Sequence, residues 1–343
     1  MKQNSHGGDI YSREIVYDFS ANLNPLGMPA SVKQAIIESL GDFAHYPDPN
    51  CTALRRALAA QEGIAEEQIV CGNGAADLIY RAVQAIKPKR ALLPAPTFSE
   101  YERALLSVNC DLEHYFTREA DNFTLREDIL RHIDGTDMLF LCNPNNPVGN
   151  LVDAHLLKCI IEKCAISGTV LVIDECFMDF VADDRSMTDI SGNVMVLKAF
   201  TKIYAMAGLR LGYLLCGNTD WAQKIQNCGQ CWSVSIPAQV AGIAALGERE
   251  YVSETVNLIA KERTYLGDCL QHFGFRVYPS EANFILFQCK LPLDKLLLKQ
   301  KIAIRNCANY MGLGAGYFRI AVRNHAENQV LIAAIERCIK ENG

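Results

Sequence analysis

Two glycines in residues 71–77 (CGNGAAD) follow an apolar run and precede a helical pattern. Glycine lets a backbone approach an oxyanion closely, and free N–H groups of Gly74, Ala75 and Ala76 at a helix N-terminus would point at a phosphate. An ordinary strand-to-helix turn is the alternative interpretation. A dinucleotide-binding fingerprint is disfavoured, because its third glycine would stand at position 77, which is Asp.

Two Asn-Pro steps follow the apolar run in residues 141–149 (LCNPNNPVG). Proline disfavours the helical conformation for the residue before it. The side-chain amides of Asn143 and Asn146 are therefore free to face a ligand instead of continuing a regular element. A plain turn is the alternative interpretation of this segment.

Asp174 ends a third apolar run, residues 170–174 (VLVID). A carboxylate at the end of a buried strand needs a partner, because an unpaired buried charge costs several kcal/mol. A protonated ring nitrogen would provide that partner. A helix-capping or turn aspartate explains the same pattern equally well.

Lys202 and Arg210 belong to a fourth segment, residues 197–213. A lysine in a partly apolar cleft loses some preference for its charged form and can form a Schiff base with an aldehyde. Taken alone, it is a solvated surface residue. Together the four segments offer a phosphate cradle, an amide, a carboxylate, an amine and an arginine, which is the set that pyridoxal phosphate requires.

These segments need a scaffold, and short β-branched runs alternate with amphipathic stretches from about residue 65 to residue 220. That alternation predicts strand-helix-strand crossovers and a parallel sheet, at whose carboxyl edge ligands bind. The predicted strands are 68–71, 90–93, 137–142, 169–174, 194–200 and 210–217. The predicted helices between them are 77–86, 99–108 and 153–166.

After Pro237 the pattern changes to one long helical stretch, 238–272, which is followed by short strands and a closing helix. We predict an α/β protein with an irregular arm (1–30), a large domain (31–236) and a small α+β domain (237–343). The predicted elements of the small domain are strands 283–288, 303–306 and 318–322 and a helix at 327–340.

Composition excludes several classes of protein. The 343 residues carry a net charge of −6, which gives no electrostatic case for nucleic acid or an acidic membrane as partner. The 14 cysteines are too sparse for a disulfide scaffold.

With no signal-peptide pattern and no long apolar run, we expect a cytoplasmic protein. We interpret Cys228 and Cys231 (CGQC) as structural thiols near the substrate cleft, not as a redox or zinc pair, and expect no metal.

The four motifs, in this order, resemble those of fold-type I pyridoxal-phosphate enzymes, in the branch that includes histidinol-phosphate aminotransferase and L-threonine-O-3-phosphate decarboxylase. The resemblance covers nearly the whole chain and implies the type I aminotransferase fold, with a mixed, mostly parallel sheet in the large domain. It implies Lys202 as the Schiff-base lysine, Asp174 as partner of the ring nitrogen and Asn146 as donor to the phenolic oxygen. It also implies phosphate contacts from Gly74, Ala75, Ala76, Thr201 and Arg210, a ring stack on Phe98, and Tyr46 reaching the phosphate of a second subunit in a homodimer.

Within that branch, segments around His6, 18–27 and 304–313 are most similar to the decarboxylase, as is Phe177. The resemblance implies that Arg319 binds the substrate carboxylate, while Arg305, His6 and Asn22 bind the substrate phosphate. The sequence departs from the family pattern at Ala199, three residues before Lys202, where many relatives have a hydroxyl residue. A second, minor departure is Val148, where threonine is more common.

The implied reaction is that of a carboxy-lyase acting on a small phosphorylated amino acid. L-Threonine-O-3-phosphate would lose carbon dioxide to give 1-aminopropan-2-ol O-phosphate, which is used in cobamide synthesis. The alternatives are a histidinol-phosphate or related aminotransferase, a decarboxylase preferring serine phosphate, and a catalytically silent binding or regulatory protein on the same fold. The sequence leaves the choice open, because the bond that breaks depends on its angle to the cofactor ring.

Overall fold

A computed structural model describes residues 6–183 and 185–342. The strands are β1 (Tyr17–Asp18), β2 (Ile69–Gly72), β3 (Arg90–Ala95), β4 (Asp111–Phe116), β5 (Met138–Cys142), β6 (Val170–Asp174), β7 (Val194–Ala199), β8 (Gly212–Cys216), β9 (Arg276–Val277), β10 (Phe284–Gln288), β11 (Ile302–Ala303), β12 (Arg305–Asn306) and β13 (Tyr317–Ala321). The helices are α1 (Ala30–Glu38), α2 (Thr52–Glu62), α3 (Ala75–Ile86), α4 (Ser99–Leu106), α5 (Ala154–Ser167), α6 (Phe200–Ile203), α7 (Thr219–Cys228), α8 (Ile236–Ala245), α9 (Arg249–His272), α10 (Leu293–Leu298) and α11 (His325–Asn342).

The central sheet has seven strands in the order β2-β8-β7-β6-β5-β3-β4. Strand β8 runs antiparallel to both of its neighbours, and the other pairs are parallel. The mixed, mostly parallel sheet implied by the resemblance is therefore confirmed, and β8 departs from the purely parallel sheet that the strand-helix pattern predicts. Strands β5 and β6 are buried along their whole length, which explains why they are apolar without alternation.

The register of the sheet brings the sequence motifs to one edge. Asp174 pairs with Leu197, and Ala199 and Gly72 both lie opposite Gly212. Because β8 is antiparallel, its first residues stand where β6 and β7 end. The chain entering β8 and the chains leaving β2, β6 and β7 therefore meet around a single opening.

The antiparallel four-stranded sheet has the order β12-β13-β10-β9, and all four strands come from the chain after residue 275. The predicted strand at 303–306 is in fact two strands. Residues 302–303 pair in parallel with β1, whereas residues 305–306 pair with β13. The arm predicted to be irregular thus contains β1, because residues far along the chain supply its partner.

The single helix predicted for 238–272 is wrong. The structure has two helices, α8 and α9, with residues 246–248 between them. Gly247 in this break has the low helix propensity expected of glycine. Ser235 caps the start of α8, where its hydroxyl accepts a hydrogen bond from the N–H of Ala238 at 3.4 Å.

Strand β4 is absent from the prediction, because its sequence (DLEHYF) is largely polar and it lies at an edge of the sheet. In the described parts of the chain, no helix combines the length and the apolar character needed to span a membrane. The domain boundaries at 30/31 and 236/237 stay predictions.

Candidate active site

A cavity of about 420 Å³ opens at the edge where β6 and β7 end and β8 begins. Its lining carries four arginines and two carboxylates among the described residues, in a protein whose net charge is −6. This local excess of positive charge suits anionic ligands. The predicted residues in its lining are His6, Asn22, Ala75, Ala76, Phe98, Asn146, Asp174, Thr201, Lys202, Arg210, Arg305 and Arg319.

Two groups of residues in this cavity differ in origin. The strand end consists of Gly74, Ala75, Ala76, Asp174, Thr201, Lys202 and Arg210, which follow or precede strands of the central sheet. The arm end consists of His6, Asn22, Glu100, Arg305 and Arg319, which come from the N-terminal arm, helix α4 and the second sheet.

Asp174 lies at the buried floor of the strand end. Its Oδ1 accepts a hydrogen bond from the backbone N–H of Cys176 at 2.9 Å, and its Oδ2 accepts one from the hydroxyl of Tyr101 at 2.5 Å. Burial raises the pKa of Asp174 above its ordinary value. A cationic partner in the cavity would offset this cost.

Tyr101, which the sequence reasoning missed, links this acid to an aromatic cluster. Its ring stacks on Phe140 with centroids 4.8 Å apart and meets Phe98 edge to face at 5.6 Å. The only sequence signal was its position three residues after Phe98, one helical turn along the same face. Tyr101 thus holds the Asp174 carboxylate through its hydroxyl, and its ring packs against Phe98, which lines the cavity.

Lys202 follows β7 in the short helix α6, and its backbone carbonyl accepts a hydrogen bond from the N–H of Asn24 at 3.1 Å. Desolvation lowers the pKa of Lys202 to about 8, and the positive charges of Arg319 and Arg210 act in the same direction. A larger fraction of this amine is therefore neutral and nucleophilic at neutral pH than in a solvated lysine.

Gly74 and Arg210 form a cradle at the strand end. Gly74 has φ +80°, and a Cβ atom there would lie 2.5 Å from Nη2 of Arg210. Only glycine lets this guanidinium approach the start of α3 so closely. The N–H groups of Ala75 and Ala76 are in the first helical turn, which has no intrahelical acceptor for them.

One prediction about this cradle is wrong. The N–H of Gly74 donates to the carbonyl of Gly72 at 2.8 Å, so it is not free for an anion. The tight turn into α3 takes this donor. Two first-turn N–H groups, the Arg210 guanidinium and the buried Thr201 remain, and this donor set fits a phosphate group.

Arg319 is buried at the arm end. Its Nη1 donates to Oδ1 of Asn146 and its Nη2 donates to the carbonyl of Ser20 at 3.1 Å. Its Nε is buried without a hydrogen-bond partner, and no carboxylate of the described residues pairs with it. A buried guanidinium without a counter-ion is a strong reason to expect an anionic ligand.

Asn143 does not face the cavity, contrary to the sequence interpretation. Its Oδ1 accepts a hydrogen bond from the N–H of Val152 at 2.9 Å, so this asparagine stabilises the chain before α5. Asn146 lines the cavity and binds Arg319 and Tyr310, whose hydroxyl is 3.3 Å from Oδ1 of Asn146. The two Asn-Pro steps thus have different roles.

The other predicted arm-end residues also reach the cavity. The buried Oδ1 of Asn22 has no hydrogen-bond partner. Arg305 donates to the carbonyl of Asn306 and to Oδ1 of Asn309, both at 2.8 Å, and its guanidinium lies 5.3 Å from the centroid of the Tyr310 ring. Glu100, Arg103 and Tyr310 were missed, because no local motif marks them.

Tyr46 does not line the cavity of its own chain. Its side chain is 77% exposed, and its ring stacks on Trp232 at 4.4 Å.

Cys228 and Cys231 are exposed and are not part of the cavity lining. The sequence predicted them near the cleft, and they do not line it. In residues 6–183 and 185–342, no cluster of three or more His, Cys, Asp or Glu side chains could hold a metal ion.

Comparison with known proteins places this geometry in a family. The profile of aminotransferase class I and II matches residues 14–335. The chain belongs to this family. It is 37% identical to threonine-phosphate decarboxylase of Salmonella typhimurium, with 98% of this chain and 96% of that protein aligned. It is 33% identical to an adenosylcobalamin biosynthesis bifunctional protein of Leptospira interrogans, with 97% and 41% aligned.

Solved structures of the family superpose well on this one. Histidinol-phosphate aminotransferase from Clostridium acetobutylicum gives a TM-score of 0.90 at 29% identity, covering 95% of this chain and all of the other. L-Threonine-O-3-phosphate decarboxylase from Porphyromonas gingivalis gives 0.85 at 26% identity with the same coverage. The type I fold is thus confirmed. Pyridoxal phosphate is the cofactor of this family, so the predicted cofactor is confirmed too.

Proposed function

We propose that this protein is a pyridoxal-phosphate-dependent carboxy-lyase that converts L-threonine-O-3-phosphate to 1-aminopropan-2-ol O-phosphate and carbon dioxide. The 37% identity with a threonine-phosphate decarboxylase over nearly the whole chain supports this substrate. The similarity to a bifunctional protein of adenosylcobalamin biosynthesis supports a place in cobamide synthesis.

The observation that carries this proposal is the pair of arginines at the arm end, Arg319 and Arg305. Arg319 is buried beside Asn146 without a counter-ion, and His6 and Arg305 line the same cavity from other elements. The cradle at Gly74 and Arg210 is separate and accounts for the cofactor phosphate. A substrate with both a carboxylate and a phosphate would satisfy both cationic groups at once.

The strand end would hold the cofactor. The first turn of α3, Thr201 and Arg210 would bind its phosphate, and Asn146 would donate to its phenolic oxygen. Asp174 would keep a proton on its ring nitrogen, since a cation there offsets the cost of the buried carboxylate. When bound, pyridoxal phosphate supplies a ring that accepts the electron pair left by the departing carboxylate.

The protein's own groups would direct the bond cleavage. Arg319 would bind the substrate carboxylate with two parallel hydrogen bonds and fix its orientation in the cavity. Lys202 would hold the cofactor through its amine, and it would supply the proton that replaces carbon dioxide on the substrate carbon. A pKa of about 8 suits Lys202 to proton transfer at neutral pH.

A histidinol-phosphate aminotransferase is the second candidate, favoured by the TM-score of 0.90 with the enzyme from Clostridium acetobutylicum. Histidinol phosphate carries a phosphate but no carboxylate, and in an aminotransferase Arg319 would bind the carboxylate of the 2-oxo acid instead. The unpaired Arg319 therefore fits both candidates, and the 37% identity with a threonine-phosphate decarboxylase favours the decarboxylase.

Turnover with defined substrates tests the proposal. Enzyme loaded with pyridoxal phosphate is incubated with O-phospho-L-threonine, with O-phospho-L-serine, or with histidinol phosphate plus a 2-oxo acid. We expect carbon dioxide release from the threonine ester, at a higher kcat/KM than from the serine ester. Amino transfer from histidinol phosphate without gas release would establish the aminotransferase, and no turnover of any substrate would establish a silent protein.

A homodimer and a cytoplasmic location are part of this proposal. Ile37, Leu40, Phe43 and Tyr46 are all between 45% and 77% exposed, which is unusual for large apolar side chains close together in sequence. A second copy would cover them and allow Tyr46 to reach its phosphate cradle. Light scattering should give a mass of two chains, and Tyr46→Phe should weaken binding of pyridoxal phosphate.

A further inference from the structure

Glu100 is a carboxylate in the cavity lining that the proposed reaction does not use. Its Oε1 lies 2.7 Å from Nε2 of His6 and accepts a hydrogen bond from Nη1 of Arg103 at 2.9 Å. The Glu100 side chain is only 12% exposed. The contact with His6 is the main cause that lowers the pKa of Glu100 to about 2. The carboxylate is therefore ionised at neutral pH, in a cavity whose lining includes four arginines.

An anion in such a cavity weakens the binding of a negative substrate unless it holds a cation in place. The basic group that Glu100 holds is the imidazole of His6 on the N-terminal arm. Gly7 packs so closely that a Cβ atom there would lie 2.1 Å from the carbonyl oxygen of Ser20. The N–H of Gly8 donates to Oγ of Ser20 at 2.8 Å. The arm thus rests on Ser20 on one side, and His6 crosses to helix α4 on the other.

Ser20 also connects the arm to Arg319 at the arm end of the cavity, because the Ser20 carbonyl accepts a hydrogen bond from Arg319. His6 lies 5.7 Å from Phe98, measured between ring centroids. A carboxylate bonded to one ring nitrogen of histidine fixes the orientation of the ring and places a hydrogen on that nitrogen. Among the described residues, Nδ1 of His6 has no hydrogen-bond partner, and it can donate to a phosphate oxygen when both ring nitrogens carry a hydrogen.

We propose that Glu100 is a positioning residue. Its contact with His6, which we call the latch, holds the arm across the cavity and presents His6 to the phosphate group of the substrate. This inference rests on the proposed function, since it takes a phosphorylated amino acid as the ligand. Arg103 supports the latch through the same oxygen of Glu100. The negative charge of Glu100 is tolerated because the Arg103 guanidinium and the His6 ring both contact its Oε1.

The first experiment compares Glu100→Gln with Glu102→Gln in enzyme loaded with pyridoxal phosphate. Glu102 is on the same helix but outside the cavity lining, so its variant controls for loss of a charge on α4. We expect Glu100→Gln to raise the KM for O-phospho-L-threonine about tenfold, the cost of a charged hydrogen bond. The kcat and the affinity for pyridoxal phosphate should stay within about twofold, and Glu102→Gln should behave as wild type.

A double-mutant cycle with His6→Asn tests whether Glu100 acts through His6. The latch predicts that Glu100→Gln adds little to the KM increase of His6→Asn, because both variants break one contact. Independent, multiplying effects would overturn the proposal. A parallel loss of thermal stability and cofactor affinity would assign Glu100 a merely structural role.

Hydrogen exchange of the backbone amides in residues 7–12 gives a readout that needs no turnover. The latch predicts faster exchange in Glu100→Gln than in wild type or Glu102→Gln, and equal exchange overturns it. If the wild type releases no carbon dioxide, the proposed function fails, and the exchange comparison still decides whether Glu100 holds the arm. If the wild type releases carbon dioxide but Glu100→Gln changes neither KM nor exchange, the latch alone fails.

Discussion

The strand end of the cavity is built by chain segments that enter or leave neighbouring strands of one sheet, whereas the arm end combines the N-terminal arm, helix α4 and the second sheet. At the strand end, backbone hydrogen bonds and strand register hold Asp174, Lys202 and Arg210 at one edge. At the arm end, Arg319, His6 and Glu100 are held mainly by side-chain contacts between distant segments.

This difference has a functional meaning. A cofactor that stays bound suits a rigid site, and a strongly paired sheet edge provides one. A substrate that must enter and leave suits a site whose walls are joined by separable contacts, such as the one between His6 and Glu100. Variants at the two ends should therefore affect different measured quantities, cofactor affinity at the strand end and KM at the arm end.

Lys202→Ala should have the largest effect, because Lys202 serves both cofactor and substrate. We expect turnover to fall by about 10³-fold through loss of the nucleophile and proton donor. Carbon dioxide release measures the effect. Lys224→Ala, an exposed lysine on α7, is the matched control and should keep full activity. Activity near the wild-type level in Lys202→Ala would remove this lysine from the reaction.

Arg319→Lys should separate the two ends. It keeps the charge but loses the planar fork that binds a carboxylate with two hydrogen bonds. We expect kcat/KM for O-phospho-L-threonine to fall by about 10²-fold, while the affinity for pyridoxal phosphate, which Arg319 affects only through Asn146, falls much less. Arg323→Lys, which alters a pair with Glu327 outside the cavity lining, is the control. An equal loss of cofactor affinity would contradict the separation.

The pH dependence of cofactor capture should report on the strand end. The pKa of Lys202 is lowered to about 8, so the neutral amine becomes the main form above that pH. The rate at which the apoprotein captures pyridoxal phosphate should rise about tenfold per pH unit below this value and level off above it. Absorbance after rapid mixing measures the rate. A rise that continues to about pH 10 would indicate an ordinary lysine.

Gly74→Ala should have a smaller effect, limited to the strand end. The added Cβ would meet the Arg210 guanidinium, so we expect pyridoxal phosphate to bind about tenfold more weakly. Gly63→Ala is a sharp control, because Gly63 also has a positive φ but nothing lies within 4 Å of its added Cβ. Both variants should lose about 1 kcal/mol of unfolding free energy. Equal cofactor affinity in the two variants would show that the cradle does not depend on Gly74.

Much of the fold was predictable because the pattern is local. Apolar runs that end in a polar residue located β5, β6 and β7 to within a residue, and β-branched composition favoured strands. Strand β4 was missed because it is polar, and α8 and α9 were merged because apolar periodicity continues on both sides of the break at Gly247. Pairing of β1 with β11 joins segments almost 300 residues apart, which no local pattern reveals.

The sequence by itself determined the chemistry of the strand end. Each of its residues follows or precedes a recognisable strand, and parallel strands necessarily bring their carboxyl ends to one edge. The tertiary structure alone decided that Asn143 turns away, that the Gly74 N–H is already used, and that Glu100 meets His6 across 94 residues. Such side-chain contacts depend on how separate elements pack, and residue type and spacing along the chain carry no record of that packing.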